Sequence, residues 1–120
     1  MRVFKSTWFA RFADKEGITD GELIEMVNRL EVGQAEADLG GGVYKLRLAR
    51  SGEGKSGGYR IIVFFRSEDI TFYYYAYPKA VRANINEKEL KSFKKLSKGY
   101  LAMDDGELTE AVINREFVEI

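Results

Sequence analysis

The chain has 120 residues, of which 45% are hydrophobic, with eight phenylalanines, seven tyrosines, one tryptophan, no cysteine and no histidine. That length suits one domain over residues 1–120 with a core that needs no staples, and the aromatic content excludes a disordered chain. The missing residue types exclude a disulfide scaffold, thiolate chemistry, a serine triad with a histidine base and the common histidine or cysteine metal sites. No apolar run reaches the length of a membrane span or a signal peptide, so a cytoplasmic protein without a cofactor is expected.

The net charge is zero, but it is segregated. Residues 1–42 carry 5 basic and 8 acidic side chains, residues 43–98 carry 13 and 5, and residues 99–120 carry 1 and 6. A basic centre between acidic ends points to an anionic partner for the centre. A solvated surface with clustered charges is the plainer alternative.

In chain order, Met1–Phe4 is long enough only for a brief edge strand. Ser6–Glu16 reads as a helix, with Phe9, Phe12 and Ala13 as its apolar stripe, Trp8 extending it and Gly17 ending it. Thr19-Asp20-Gly21-Glu22 has the form of a capping box, with Ile18 and Leu23 placed as a staple. Leu23, Met26, Val27 and Leu30 continue at helical spacing until Gly33. The two helices are expected to pack as a hairpin on one face of a sheet; the alternative is a docking groove for a partner.

Gln34–Leu39 is either a loop or a short edge strand, and Gly40-Gly41-Gly42 is a flexible approach to the sheet. Val43–Ala49 alternates: Tyr44, Leu46 and Leu48 share one face, while Val43, Lys45, Arg47 and Ala49 share the other. Arg50–Gly58 is a glycine- and serine-rich hairpin loop carrying Lys55, without the spacing of a phosphate-binding P-loop. Tyr59–Arg66 is apolar on both faces and reads as the central strand. Arg60 enters where that strand begins, and a guanidinium so placed needs an anion or carbonyl partner.

Thr71–Tyr77 is the next strand. Strict alternation puts Thr71, Tyr73, Tyr75 and Tyr77 on one face and Phe72, Tyr74 and Ala76 on the other. The tyrosines suit cross-strand packing, with base stacking as the functional alternative. Pro78, the only proline, ends the strand, and a basic linker with Lys79 and Arg82 comes after it. Asn86 and Glu89 form a second capping box, with Ile85 and Leu90 as its staple. The helix they start has Leu90, Phe93, Leu96 and Tyr100 as its stripe and Lys88, Lys91, Lys94, Lys95 and Lys98 around it. The acidic extension at about 101–120 holds a short helix capped by Asp105, and Phe117, Val118 and Ile120 finish as a strand or dock on the core. The expected class is α+β: a small antiparallel sheet with a mixed edge, carrying two N-terminal helices and C-terminal helices packed on it.

The chemistry within reach is cationic. Lys45, Arg47, Arg60, Lys79 and Arg82, meeting at one end of the sheet, suit phosphodiester chemistry, in which an RNA 2′-hydroxyl attacks its own phosphate. Arg50, Lys55, Lys91 and Lys95 are candidate contacts to the RNA backbone. A surface that only binds needs the same residue types.

The order helix, helix, K-L-R strand, glycine loop, G-Y-R-I-I-V-F-F strand, aromatic strand, P-K-x-x-R-A-N-I and lysine-rich helix resembles the RelE/HigB branch of the RelE/ParE toxin superfamily. The resemblance covers most of the chain and is strongest over Tyr44–Leu96. It implies a RelE-like fold and a toxin of a type II toxin–antitoxin module. For RelE-like members it implies an mRNA interferase, a metal-independent endoribonuclease cutting messenger RNA in the ribosomal A site. By the same resemblance Lys45 is a candidate base, Arg47 lies beside it, Arg60 stabilises the transition state, and Lys79 and Arg82 match a basic cluster after the last core strand. The family implies a cognate antitoxin, often a helix-turn-helix protein of HigA type, that covers the basic surface and represses the operon in complex. This chain departs from its relatives in lacking a C-terminal histidine, in offering only Tyr100 as a loose match to their tyrosine, and in its acidic extension after Gly99.

Two other function classes stand beside the ribosome-dependent nuclease. One is a non-catalytic inhibitor of a protein target, as ParE-like relatives bind gyrase; the other is a basic RNA-binding module. The nuclease reading requires Lys45, Arg47 and Arg60 to meet in one patch, not each held by an internal carboxylate.

Overall fold

A computed structural model describes residues 1–49 and 58–120. In chain order the elements are β1 (Arg2–Ser6), α1 (Thr7–Glu16), α2 (Asp20–Glu31), β2 (Ala37–Gly40), β3 (Val43–Leu48), β4 (Tyr59–Arg66), β5 (Ile70–Pro78), α3 (Glu87–Leu101), α4 (Asp105–Ile113) and β6 (Phe117–Glu119). The strands form one six-stranded sheet in the order β2-β3-β4-β5-β1-β6. All pairings are antiparallel except that of β1 with β5.

β1 is not an edge strand. It lies between β5 and β6, with Val3 and Phe4 buried on opposite faces. Its parallel pairing depends on a partner almost seventy residues on, Arg2 against Ile70, which five residues of local pattern do not announce.

The sheet is covered on both faces. On one, Phe9, Ala13, Leu23, Met26, Val27 and Leu30 of α1 and α2 pack against Leu46, Ile61, Val63 and Tyr73. On the other, Phe93, Leu108 and Ala111 of α3 and α4 pack against Phe4, Val43, Ile62, Phe64 and Phe72. β4 therefore reads as unbroken apolar sequence because each of its faces has a core to fill.

The helix starts follow capping chemistry. Thr19 accepts from the Glu22 N–H, and Asn86 and Glu89 form the full reciprocal box. α4 is capped by Asp104, one residue before the expected Asp105, with Glu107 completing the box. Polar ties join the helices to the sheet: Lys5 Nζ lies 2.8 Å from Asp20 at the start of α2, the Tyr73 hydroxyl donates to the Leu23 carbonyl, Arg29 of α2 donates to the Arg47 carbonyl, and Arg66 of β4 donates to the Leu101 carbonyl of α3. At the other end of the sheet the Arg2 guanidinium makes two 2.9 Å bonds to Glu119, which join β1 to β6.

Gly40-Gly41-Gly42 is a packed turn, not a loose approach. All three have positive φ, and a Cβ on Gly42 would stand 2.6 Å from Leu101 Cδ1 and 3.0 Å from Ser97 Oγ. Gly42→Ala combines a left-handed backbone with overpacking against α3. It is expected to cost about 2–3 kcal/mol, read as a lower urea midpoint at unchanged m-value.

Glu31, Glu89 and Glu119 are each held below the ordinary carboxylate value of 4.5. Hydrogen bonds from Ser67, Arg82 and Arg2, respectively, are the largest cause. A depressed carboxylate contributes stability that is complete above its unfolded value and lost as pH falls through the folded one. With no histidine in the chain, the urea midpoint is expected to be level from pH 5 to 7 and to fall below about 4.5.

Candidate functional site

The register of β3 against β4 sets Arg47 opposite Arg60 and Lys45 opposite Ile62. Since Val43 and Ile62 belong to the core beneath α3, alternation puts Lys45, Arg47 and Arg60 on that same face of the sheet, at the end away from Gly42. The three cations therefore meet in one patch, carried on two paired strands.

A carboxylate that sequence reasoning missed sits among them. Glu36 Oε2 is 2.8 Å from Arg60 Nε and 3.9 Å from Lys45 Nζ. The Glu36 N–H donates to the Lys45 carbonyl at 2.9 Å, which anchors the segment before β2 alongside β3. Of the two partners expected for Arg60, an anion or a carbonyl, the structure supplies an anion, and it comes from the Gln34–Leu39 stretch, whose short pattern gives no sign of its destination. Among the described residues Glu36 is the carboxylate that Arg60 and Lys45 share.

Arg60 is only 4% exposed, and its NH1 has no hydrogen-bond partner among the described residues. The same holds for the hydroxyl of Tyr77, 2% exposed, which pairs with Arg60 across β4 and β5. Burial pushes the Tyr77 phenol above its ordinary value of 10.0, against the opposing pull of Arg60 and Arg82. The ring therefore keeps its proton at neutral pH and offers a hydrogen-bond donor beside the guanidinium. Unpartnered buried donors are costly, and these two sit on residues paired across β4 and β5.

Tyr77 reaches this face because β5 is not regular. The pairing shifts between Ile62 and Val63, whose partners are Tyr75 and Tyr73. This bulge changes which residues share a face. Tyr73 and Ala76 belong to the core under α1 and α2, while Phe72, Tyr74 and Tyr75 pack on the α3 side. The bulge thus breaks the strict alternation expected for Thr71–Tyr77, and no turn residue or glycine in the run announces it.

Arg82 lies with its guanidinium 5.3 Å from the centre of the Tyr77 ring. It also forms a two-pronged ion pair with Glu89 of the α3 capping box. That pairing raises the Arg82 guanidinium further above its ordinary value. Arg82 is thus beside the patch but already engaged. Lys79 follows Pro78 and is exposed, as are Lys91 and Lys95 on α3. Arg50 and Lys55 lie outside the described residues. Tyr100 is not near the patch: it stacks on Phe72 at 4.8 Å, and the stretch of β5 from Phe72 to Tyr77 spans about 16 Å. Burial holds its phenol above the ordinary value.

Among the described residues no helix is long and apolar enough to cross a membrane. No curated protein matches the chain. The sequence model of one family, described as the RelE toxin of the RelE / RelB toxin-antitoxin system, matches residues 1–120. Family membership carries with it an antitoxin partner, and the α+β sheet covered by helices agrees with a RelE-like fold. The chain belongs to the RelE toxin family.

Proposed function

We propose that this toxin is a metal-independent endoribonuclease that cuts messenger RNA on the ribosome and so stops translation. The observation that carries the reading is the pair of buried, unpartnered donors, Arg60 NH1 and the Tyr77 hydroxyl, within a patch of three cations. A scissile phosphate placed there accepts from both. Its developing charge in the five-coordinate state is met by Arg60, Arg47 and Lys45.

The new bond from the 2′-oxygen to phosphorus forms as the bond to the 5′-oxygen breaks; the proton of the attacking 2′-hydroxyl goes to the Lys45–Glu36 ion pair, and the leaving 5′-oxygen takes its proton from water. A carboxylate accepts a proton as it stands, whereas an ammonium has first to lose one. Within the pair Glu36 takes the proton and Lys45 holds the neighbouring negative charge. Glu36→Gln keeps the shape and the contact to Arg60 but removes the acceptor, so it is expected to slow cleavage about 100-fold, at the low end for lost general-base catalysis. Single-turnover cleavage of ribosome-bound messenger RNA measures this. Arg82 and Lys79 position the strand, with Arg82 exchanging Glu89 for phosphate, and Arg50, Lys55, Lys91 and Lys95 contribute backbone contacts. The antitoxin, a helix-turn-helix protein of HigA type, covers the patch when the toxin is silent, and the site of action is the cytoplasm.

Primer extension on messenger RNA after induction tests the function. Cuts confined to translated transcripts are expected. Arrested growth without cuts, accompanied by gyrase poisoning, would put the chain with the non-catalytic inhibitors instead.

A further inference from the structure

Beside its buried face, α1 has a flank that meets the core only through the half-buried Phe12. Phe9 and Ala13 are buried, whereas Trp8, Arg11, Phe12 and Lys15 line a surface pocket of their own. Their spacing of three and four places two rings and two cations in alternation along one side of the helix. Trp8 is 42% exposed and stacks on Phe12 with centroids 5.3 Å apart and planes 12° apart.

This face is joined to the cationic patch. Trp8 lies 4.7 Å from Tyr75, Tyr75 lies 6.1 Å from Tyr77, and Arg82 covers Tyr77. From the buried Tyr77 outward, the accessible rings form a row, Tyr75-Trp8-Phe12, that runs from beside the patch around β5 to the other side of the sheet. β5 leaves room for it, since β1 pairs with β5 only as far as Tyr73.

A row of rings fenced by cations has the chemistry that holds single-stranded nucleic acid: bases stack on the rings and the backbone follows the positive charges. Cations interleaved with rings along one flank match the alternation of phosphate and base along a single strand. Resting on the nuclease reading, we propose that the Trp8-Arg11-Phe12-Lys15 face is a binding track for the single-stranded RNA that flanks the cleavage position. Tyr75 hands the strand from the patch to Trp8.

Trp8 is the only tryptophan in the chain, so its emission reports on this face alone. The probe is a twelve-nucleotide single-stranded RNA, 2′-O-methylated so that it cannot be cut, titrated at low salt with anisotropy and Trp8 emission read together. Quenching by the single strand is expected, with none from inorganic phosphate or from a duplex of the same length. Trp8→Ala should weaken binding about tenfold, the loss typical of one stacked base. Arg11→Ala with Lys15→Ala touches only exposed side chains and so keeps the fold. It should flatten the log–log salt dependence by about 1.4.

Binding that is lost in Arg60→Met, yet leaves Trp8 emission and the Trp8→Ala affinity unchanged, overturns the track and leaves the nuclease reading standing. No binding of the single strand at any salt overturns the track alone, since the nuclease reading has the ribosome present the messenger and is tested by primer extension. A Trp8 response to the antitoxin but not to RNA makes this face a protein interface and overturns the track.

Discussion

Replacing Arg60 with methionine is expected to lower the rate of messenger RNA cleavage about 1000-fold while leaving the fold as stable as before, or more so. The two halves have different causes. Arg60 is a nearly fully buried charge paired with the partly exposed Glu36. Burying an ion pair costs desolvation that its attraction barely repays, and an apolar side chain of similar volume is often neutral or stabilising there. Methionine also removes the unpartnered NH1, and Glu36 regains water when its partner is gone. Catalysis loses the donor aimed at the phosphate, a loss of the size measured for single donors in oxyanion holes. Arg60→Lys should not restore the rate, because one ammonium cannot hold Glu36 and a phosphate oxygen along separate directions as the guanidinium fork does. Thermal unfolding and single-turnover kinetics on the same variants separate the two halves.

The largest loss of stability is expected from Phe72→Ala. Phe72 is fully buried on the α3 side of the sheet. Its ring stacks on Phe4 at 5.0 Å and on Tyr100 at 4.8 Å, and meets the edge of Phe117 at 4.5 Å. Those rings come from β1, α3 and β6, so one side chain joins three separate stretches of chain. Truncation leaves a cavity that aromatic neighbours cannot collapse into, at a cost of about 3–5 kcal/mol. For a domain of this size that is a large share of the total. β6 is the element expected to loosen first, since Phe117 is its one buried residue. Amide exchange at Val118 and Ile120 should rise ahead of global unfolding. If the urea midpoint moved by the equivalent of less than about 1 kcal/mol, the ring cluster would not be the element that holds this face together.

Elements whose cause is local were legible in the sequence. Asn86 with Glu89 announces α3, the Leu23-Met26-Val27-Leu30 spacing announces α2 and its buried face, and the unbroken apolar run of Tyr59–Arg66 announces a strand covered on both sides. What stayed hidden depends on contacts distant in sequence. β1 becomes an interior strand only through Ile70–Tyr73, and Gly42 is crowded only because α3 returns over the turn. The β5 bulge moves Tyr75 and Tyr77 to the α3 side through a shift in pairing that no single residue signals. For the site, alternation on β3 was enough to set Lys45 and Arg47 on one face, and the place of Arg60 at the start of the central strand called for an anion or carbonyl partner. Glu36 could not be named as that partner, because a lone carboxylate in a short polar stretch looks like any exposed one. Arg82 was grouped with the cations by sequence alone, whereas its commitment to Glu89 appears only once α3 has folded back toward the end of β5.

If the Lys45, Arg47 and Arg60 patch, completed by Tyr77, grips the phosphate at which messenger RNA is cut, removing its donors must slow the cut without releasing the toxin. Single-turnover cleavage on programmed ribosomes, with saturating wild-type, Arg60→Met or Tyr77→Phe toxin, addresses this. Both variants should remain folded and bind the ribosome, with the rate falling about 1000-fold for the first and about tenfold for the second. Wild-type rates in a folded Arg60→Met variant would place the chemistry elsewhere on the molecule.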